Sequence, residues 1–155
     1  YGDELGMTGG HDPENRKDFP GGFRGDERNA FTREGRTADE QRMFFDVREW
    51  IELRKKSPAL RQGRTVDIEY GNDVYVFARI AAGQIYVVGV NRSAETKQTR
   101  FDAGVIGLDT ESNRCRPEGG ASTIPISNQG GIDGTISLSL PGRTVIAYEC
   151  FAVER

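Results

Sequence analysis

The alternating stretch Thr135-Ile136-Ser137-Leu138-Ser139-Leu140 decides the fold class of this chain. Single serines separate its apolar residues, and this period of two predicts a strand with one buried and one solvated face. Six other segments rich in Val, Ile, Thr and aromatic residues are predicted strands: Thr65 to Tyr70, Val74 to Ile80, Gln84 to Val90, Thr96 to Phe101, Ser122 to Ser127 and Thr144 to Val153. Because turn-forming residues separate these short strands, residues 61–155 are predicted to form a two-sheet antiparallel β-sandwich.

Two further expectations concern this β-rich region. Residues 102–121 are rich in Gly, Asp and Ser and are expected to be an irregular connection. The tyrosines inside predicted strands are expected to pack across strands in the core rather than to bind a ligand; they are Tyr70, Tyr75, Tyr86 and Tyr148.

One helix is predicted over residues 37–57. Thr37 and Glu40 have the spacing of a capping box, in which each side chain bonds the backbone amide of the other residue. Ser57-Pro58 ends the helix. An apolar stripe at helical spacing is made of Met43, Phe44, Val47, Trp50 and Ile51. Since Phe45 and Leu53 lie outside this stripe, we expect the helix to be packed between two bodies of protein.

Residues 1–36 have a different composition, rich in Gly, Asp, Arg and Pro with single aromatic residues. A segment with so little apolar periodicity cannot bury itself, so we expect a long loop lying against another body of protein. Its most polar part, residues 11–23, combines carboxylates, an arginine and aromatic rings, which suit sugar hydroxyls and pyranose faces. A charged, proline-stiffened loop is also typical of any exposed connection.

Composition excludes several classes of protein. The 155 residues carry 21 Lys and Arg against 24 Asp and Glu, a formal charge of −3 that does not fit a nucleic-acid-binding surface. No apolar run approaches the roughly 20 residues that span a bilayer, so no membrane partner is expected. Cys115 and Cys150 are interpreted as two thiols, slightly in preference to one disulfide. They lack CxxC spacing and have only His11 as a nitrogen partner, so no metal site is expected.

Three other motifs are weak candidates for chemistry. Asp3-Glu4 are adjacent acids, and neighbours on a strand point to opposite faces, so they cannot flank one bond as acid and nucleophile. His11-Asp12 could be a base and its orienting group, but no Ser or Cys occupies a nucleophile turn. Asn91-Arg92-Ser93 matches the glycosylation triplet, but lies where a strand ends and a turn begins. No catalytic residue is assigned.

Several motifs near the start of the chain carry a resemblance to a known family. The run YGDELGM at residues 1–7 is followed by Asp12-Pro13-Glu14-Asn15-Arg16, and the motifs DFPGGF, NAFT and GRT come next. Residues 53–60 read LRKKSPAL. Together these motifs resemble the C-terminal part of the barrel in the α-amylase family of glycoside hydrolases. The closer resemblance is to the cyclomaltodextrinases and neopullulanase-like proteins of Bacteroidetes bacteria.

This resemblance implies a larger enzyme with a (β/α)8 barrel and a C-terminal sandwich. Residues 1–36 would be the end of barrel strand eight with its active-site loop, residues 37–60 the last barrel helix, and residues 61–155 the sandwich. The implied reaction is retaining hydrolysis of α-1,4-glucosidic bonds in cyclodextrins, maltooligosaccharides or pullulan, by carboxylates that precede this chain. The fragment alone should be inactive. No cofactor is implied for it, and any calcium would lie elsewhere in the parent enzyme.

Four loop residues are carried over as substrate-binding candidates. Asp12 and Arg16 match the DPxxR loop that lines sugar sites on the non-reducing side of the scissile bond. The resemblance implies that Asp12 accepts hydroxyl protons, while Arg16 donates to the sugar and holds Asp12. Phe19 and Phe23 are candidates for the cleft wall. The implied partners are an α-glucan or cyclodextrin substrate and the barrel segment of the same enzyme.

Alternatives to this function stay open. The chain could be a stand-alone carbohydrate-binding or accessory sandwich, although such modules display exposed aromatic platforms and the strand tyrosines here are expected to be buried. The sandwich could also serve only to stabilise the barrel. Analogy with bacterial cyclodextrin utilisation suggests a periplasmic or otherwise exported enzyme, with the cytoplasm as the alternative.

Overall fold

The computed structural model describes residues 1–108, 113–118 and 134–152. The chain divides into two compact units, Tyr1–Glu52 and Leu53–Arg155. The predicted strand Ser122 to Ser127 lies outside the described residues.

The second unit is built from two antiparallel sheets. The first has five strands in the order β1-β2-β3-β7-β5, and in the second β4 pairs with β6. The strands are β1 (Arg64–Tyr70), β2 (Val74–Ala81), β3 (Gln84–Asn91), β4 (Lys97–Asp102), β5 (Asn113–Glu118), β6 (Thr135–Leu140) and β7 (Thr144–Ala152). All neighbouring strands run antiparallel. The predicted fold, mainly β with an antiparallel sandwich, is confirmed.

The alternation in β6 builds the core of this sandwich. Ile136, Leu138 and Leu140 are 5%, 2% and 1% exposed, while the intervening serines are only partly covered. The three apolar side chains belong to one cluster with residues of the five-stranded sheet, including Val76 and Tyr148. The period of two therefore sets which face of the strand is buried, as predicted.

The expectation of an irregular connection over residues 102–121 is wrong in two places. Ala103–Ile106 form a 3-10 helix capped by the side chain of Asp102, and Asn113–Glu118 form β5. The sequence of β5 is Asn-Arg-Cys-Arg-Pro-Glu, with charged residues and a proline that obscure a strand pattern. Such a sequence is compatible with β5 because, within the described part of the chain, β5 is the last strand at one edge of the sheet, where proline and charge are tolerated.

The interpretation of two separate thiols is also wrong. Cys115 of β5 and Cys150 of β7 are directly opposite in the strand register and form a disulfide. Since 35 residues separate the two cysteines along the chain, their pairing depends on a strand neighbourhood that the sequence pattern did not show. The disulfide fastens the edge strand to the sheet.

The strand tyrosines do not all have the expected core role. Tyr86 and Tyr148 are 4% and 1% exposed, as predicted, but Tyr70 is 88% exposed. Tyr70 is the last residue of β1, which is the edge strand opposite to β5. Among the described residues, no strand pairs with the outer side of β1. A residue type that favours strands is therefore exposed at this position.

Helix α1 (Ala38–Lys56) begins with the predicted capping box. Thr37 Oγ1 accepts from the Glu40 amide at 3.2 Å, and Glu40 Oε2 accepts from the Thr37 amide at 2.8 Å. The helix ends before Ser57-Pro58 as predicted. There Ser57 caps a short second helix, α2 (Pro58–Gln62), by accepting from the Leu60 amide.

The apolar stripe of α1 is only partly covered within this chain. No residue of α1 is buried, and Met43 and Ile51 are 42% and 46% exposed. Trp50 is partly covered. The packing of this helix between two bodies of protein remains a prediction.

The first residues of the chain are not a strand. Asp3–Leu5 form a single 3-10 turn, with backbone bonds from Leu5 to Gly2 and from Gly6 to Asp3, both 3.0 Å. A strand needs a neighbouring strand for its backbone groups, whereas this turn satisfies them locally. The expectation that Asp3 and Glu4 lie on opposite faces of a strand is therefore wrong for this chain.

Candidate functional site

Asp12 and Arg16 form an ion pair in the polar loop of the first unit. Arg16 Nε lies 2.7 Å from Asp12 Oδ1, and the two side chains are 74% and 62% exposed. Backbone bonds from Glu14 to His11 and from Arg16 to Pro13 curl the loop so that residues four apart meet. The guanidinium of Arg16 has five N–H groups, more than one carboxylate can accept from, so a largely exposed Arg16 can also donate to a ligand.

The two predicted aromatic residues have different environments. Phe23 is 70% exposed, and its backbone amide donates to Asp26 Oδ2 at 2.8 Å. Phe19 is partly covered and packs on Phe31, with ring centroids 4.6 Å apart and ring planes inclined by 35°. Sequence reasoning did not include Phe31 in the site, although it stands in the NAFT motif. Phe31 itself is 64% exposed.

Gly21 allows the chain to turn between these aromatic residues. Its φ is 115°, in the region that favours glycine, and a Cβ there would lie 2.7 Å from the Asn29 Cα. The Ala30 amide donates to the Pro20 carbonyl at 2.7 Å in the same place. The loop segments around residues 20 and 30 are therefore held together by backbone, and this brings Phe19 close to Phe31.

Two arginines attach this loop to the start of α1. Arg28 donates from both terminal nitrogens to the Glu40 carboxylate, each at 2.7 Å, and also to the Gly35 carbonyl. Arg36 donates to the carbonyls of Ala30 and Phe31, and its guanidinium lies 3.6 Å from the centre of the Phe44 ring. The loop of the first unit thus satisfies part of its polar backbone by itself. Whether it also lies against a barrel stays a prediction.

The Arg28–Glu40 ion pair at the start of α1 predicts how the stability of the fold depends on pH. The bond from Arg28, together with the Thr37 amide, lowers the pKa of Glu40 from 4.5 to about 2. A carboxylate with a lowered folded-state pKa stabilises the fold fully above its unfolded pKa, and this contribution is lost as the pH falls from about 4.5 towards 2. Arg28→Ala is expected to raise the Glu40 pKa, measured by NMR titration of its side-chain carboxyl carbon.

A matched control for that titration is Arg42→Ala, because Arg42 pairs with the neighbouring Asp39 on the same helical turn. This variant is expected to leave the Glu40 pKa unchanged. An equal Glu40 pKa in the Arg28→Ala variant and the unsubstituted chain would contradict the assignment.

A cleft of about 440 Å³ lies in the first unit. Lys17 and Pro20 of the polar loop line it, but none of the four predicted substrate-binding residues does. Its two carboxylates, Asp39 and Glu40, are both paired with arginines, Asp39 with Arg42 and Glu40 with Arg28. The remaining lining residues are Leu5, Gly6, Met7, Thr8, Arg28 and Met43. A pair of free carboxylates for acid and nucleophile roles is not found in this cleft.

The glycosylation triplet is part of the turn after β3, as predicted. Asn91 is 1% exposed, and its side-chain oxygen accepts from the backbone and hydroxyl of Ser93 at 3.0 and 2.8 Å. Its amide nitrogen is occupied by backbone carbonyls, at 2.8 Å from that of Glu95 and 2.8 Å from that of Leu140. Asn91 therefore closes the turn and also bonds the end of β6.

Within residues 1–108, 113–118 and 134–152, no group of three or more His, Cys, Asp or Glu is placed to hold a metal ion. Over the same residues, no helix is both long and apolar enough to cross a membrane.

Solved structures define the class of protein to which this fold corresponds. An Anoxybacillus α-amylase matches all of this chain and 28% of its own length, with a TM-score of 0.68 and 20% identity. A debranching enzyme from Nostoc punctiforme matches 96% of this chain and 26% of its own length, with a TM-score of 0.63 and 26% identity. The β-rich unit matches the C-terminal β-sandwich domain of α-amylase-family enzymes.

Sequence relatives point to the same class. A cyclomaltodextrin glucanotransferase of Niallia circulans is 34% identical over 71% of the chain, and a cyclomaltodextrinase of Geobacillus thermopakistaniensis is 31% identical over 63%. An amylopullulanase of Thermoanaerobacter thermohydrosulfuricus is 27% identical over 95%. The chain spans only 12%, 15% and 10% of these three relatives, respectively. No protein-family model matches it. The relatives indicate a domain of α-amylase-family glycosidases.

Proposed function

We propose that this chain is the C-terminal part of a retaining glycoside hydrolase that cleaves α-1,4-glucosidic bonds in cyclodextrins, maltooligosaccharides or pullulan. The observation that carries the proposal is the Asp12–Arg16 ion pair, formed at 2.7 Å within the motif that resembles the sugar-binding loop of the family. The names of the relatives, which include a cyclomaltodextrinase and an amylopullulanase, support the same substrate class. The DFPGGF motif favours the cyclomaltodextrinase and neopullulanase-like branch of Bacteroidetes.

The chemistry of the proposed enzyme divides between this chain and the segment before it. Retaining hydrolysis needs a carboxylate nucleophile and an acid/base group about 5 to 5.5 Å apart. Both would be supplied by barrel strands that precede residue 1. The loop of this chain would bind the sugar on the non-reducing side. There Asp12 would accept from hydroxyl groups, Arg16 would donate to them, and Phe19 and Phe23 would line the substrate cleft of the parent enzyme, which is distinct from the 440 Å³ cleft of the first unit.

Arg16→Ala in the parent enzyme is expected to weaken use of substrate. Removing a charge-assisted hydrogen bond costs about 1.5 to 3 kcal/mol of transition-state binding. This should appear as a lower kcat/KM on β-cyclodextrin and maltoheptaose. Arg24→Ala, at another exposed arginine of the same segment, is the matched control. An unchanged kcat/KM in Arg16→Ala would remove Arg16 from the substrate site.

A separate experiment on the 155-residue chain tests the placement of the catalytic carboxylates before residue 1. Incubated alone with β-cyclodextrin or pullulan, residues 1–155 should release no reducing sugar, whereas the parent enzyme should. Hydrolysis by the isolated chain would contradict the placement of the catalytic carboxylates before residue 1.

We also propose that the protein works in the periplasm or another exported location. The Cys115–Cys150 disulfide supports this, because disulfides persist in oxidising compartments and are rare in the bacterial cytoplasm. Protein recovered from the cell with both thiols free would argue for the cytoplasm instead.

A further inference from the structure

Three aromatic side chains form a row on the hairpin of β1 and β2. Tyr70 is opposite Tyr75 in the strand register, and Phe77 follows Tyr75 on the same face of β2. The rings of Tyr75 and Phe77 are stacked, with centroids 4.9 Å apart and planes inclined by 26°. Tyr70 meets Tyr75 nearly at a right angle, 83°, with centroids 5.8 Å apart. We call these three residues the aromatic row.

Within this row Tyr70 is the ring that is open to a ligand. A neighbour at a right angle can cover at most one of the two faces of a ring, and Tyr70 is 88% exposed. Tyr75, by contrast, lies between Tyr70 and Phe77 and is partly covered. Its place between the two other rings makes it a support that limits the movement of Tyr70.

A carboxylate lies beside the row. The Tyr75 hydroxyl donates to Asp67 Oδ1 at 2.5 Å, and this bond raises the pKa of Tyr75. A carboxylate has acceptor positions on both oxygens. Asp67 therefore keeps acceptor capacity for hydroxyl groups of a ligand while it holds Tyr75 in place.

We propose that Tyr70, supported by Tyr75 and Asp67, binds a chain of α-1,4-linked glucose on the surface of the sandwich. A pyranose has an apolar C–H face, which stacks on an open aromatic ring, and hydroxyls on its rim, which a neighbouring carboxylate accepts. An apolar protein surface fits less well, because it would remove the Asp67 carboxylate from water without giving its remaining acceptor positions a donor. The choice of an α-glucan rests on the proposed function.

The test is to titrate the 155-residue chain with maltoheptaose and to measure binding by NMR and by calorimetry. Tyr70→Ala is expected to weaken binding about tenfold or more, equivalent to the loss of about 1.4 kcal/mol. Tyr70→Phe keeps the ring and is expected to bind nearly as well as the unsubstituted chain. Val105→Ala is the matched control, since Val105 is a 53% exposed apolar residue of the same unit, outside the row. It should not change the affinity.

Several outcomes would overturn the proposal. These are no saturable binding of maltoheptaose by the unsubstituted chain, equal affinity in Tyr70→Ala, or equal affinity for the β-linked cellohexaose. Loss of binding in Phe23→Ala but not in Tyr70→Ala would place the sugar on the polar loop of the first unit. That result would support the proposed function and overturn the site on the sandwich. The hydrolysis assay of Arg16→Ala does not depend on Tyr70, so either proposal can fail without the other.

Discussion

Replacing Asn91 with leucine is expected to lower the free energy of unfolding of the sandwich by about 3 to 5 kcal/mol, since each buried polar group left without a partner costs about 1 to 3 kcal/mol. Asn91 is 1% exposed at the end of β3. Its side-chain nitrogen lies 2.8 Å from the Leu140 carbonyl and 3.1 Å from the Pro141 carbonyl. Leucine has the same branched arrangement of four side-chain heavy atoms but no donor and no acceptor.

The position of these carbonyls explains why the effect should be large. Leu140 ends β6 of the two-stranded sheet, whereas Asn91 ends β3 of the five-stranded sheet. One side chain therefore bonds the two sheets to each other at one end of the sandwich, and it also accepts from Ser93 in the following turn. The loss affects both the packing of the sheets and the local turn.

Urea unfolding followed by circular dichroism measures this change. Asn72→Ala is the matched control, because Asn72 lies in the exposed turn between β1 and β2, and its replacement should change stability by less than about 0.5 kcal/mol. A loss below about 1 kcal/mol in Asn91→Leu, within the range of one ordinary hydrogen bond, would contradict the proposed bridging role.

Removing the disulfide is expected to lower the stability of the same unit by about 3 to 4 kcal/mol, from the chain entropy that a 35-residue loop regains when it is opened. The bond joins Cys115 of the edge strand β5 to Cys150 of β7. The same two strands also share an ion pair between Arg116 and Glu149. Arg116 is largely exposed, and an exposed pair contributes at most about 1 kcal/mol, so it cannot replace the covalent link.

The measurement compares urea unfolding of the chain with and without dithiothreitol. The double variant Cys115→Ala/Cys150→Ala should be as unstable as the reduced chain, and dithiothreitol should have no further effect on it. Two free thiols in the untreated, folded protein, or a midpoint that the reductant does not move, would show that the disulfide does not stabilise the attachment of β5 to the sheet.

Many elements of the fold were predictable because they depend on sequence patterns within a few residues of each other. The Ile136, Leu138, Leu140 alternation predicted a buried face, and the structure buries those residues. The spacing of Thr37 and Glu40 predicted a capping box, and both of its bonds are formed. Patterns of this kind depend only on the backbone period and on groups within one turn of each other.

The candidate site was predictable only in part. The family resemblance implied that Arg16 holds Asp12, and the structure contains this ion pair. The partner of Phe19 was not foreseen, because Phe31 reaches it through the turn at Gly21 and the backbone contact between Pro20 and Ala30. Whether these residues bind a sugar is the subject of the Arg16 experiment.

By itself, then, the sequence determined the strand periods, the start and end of the helix, and the residue types of the polar loop. Tertiary structure alone decided that Cys115 is opposite Cys150, that Pro117 is tolerated in an edge strand, and that Tyr70 is exposed while Tyr148 is buried. The physical reason is that a period shows which side chains share a face, whereas burial and pairing depend on which strand comes to lie beside that face.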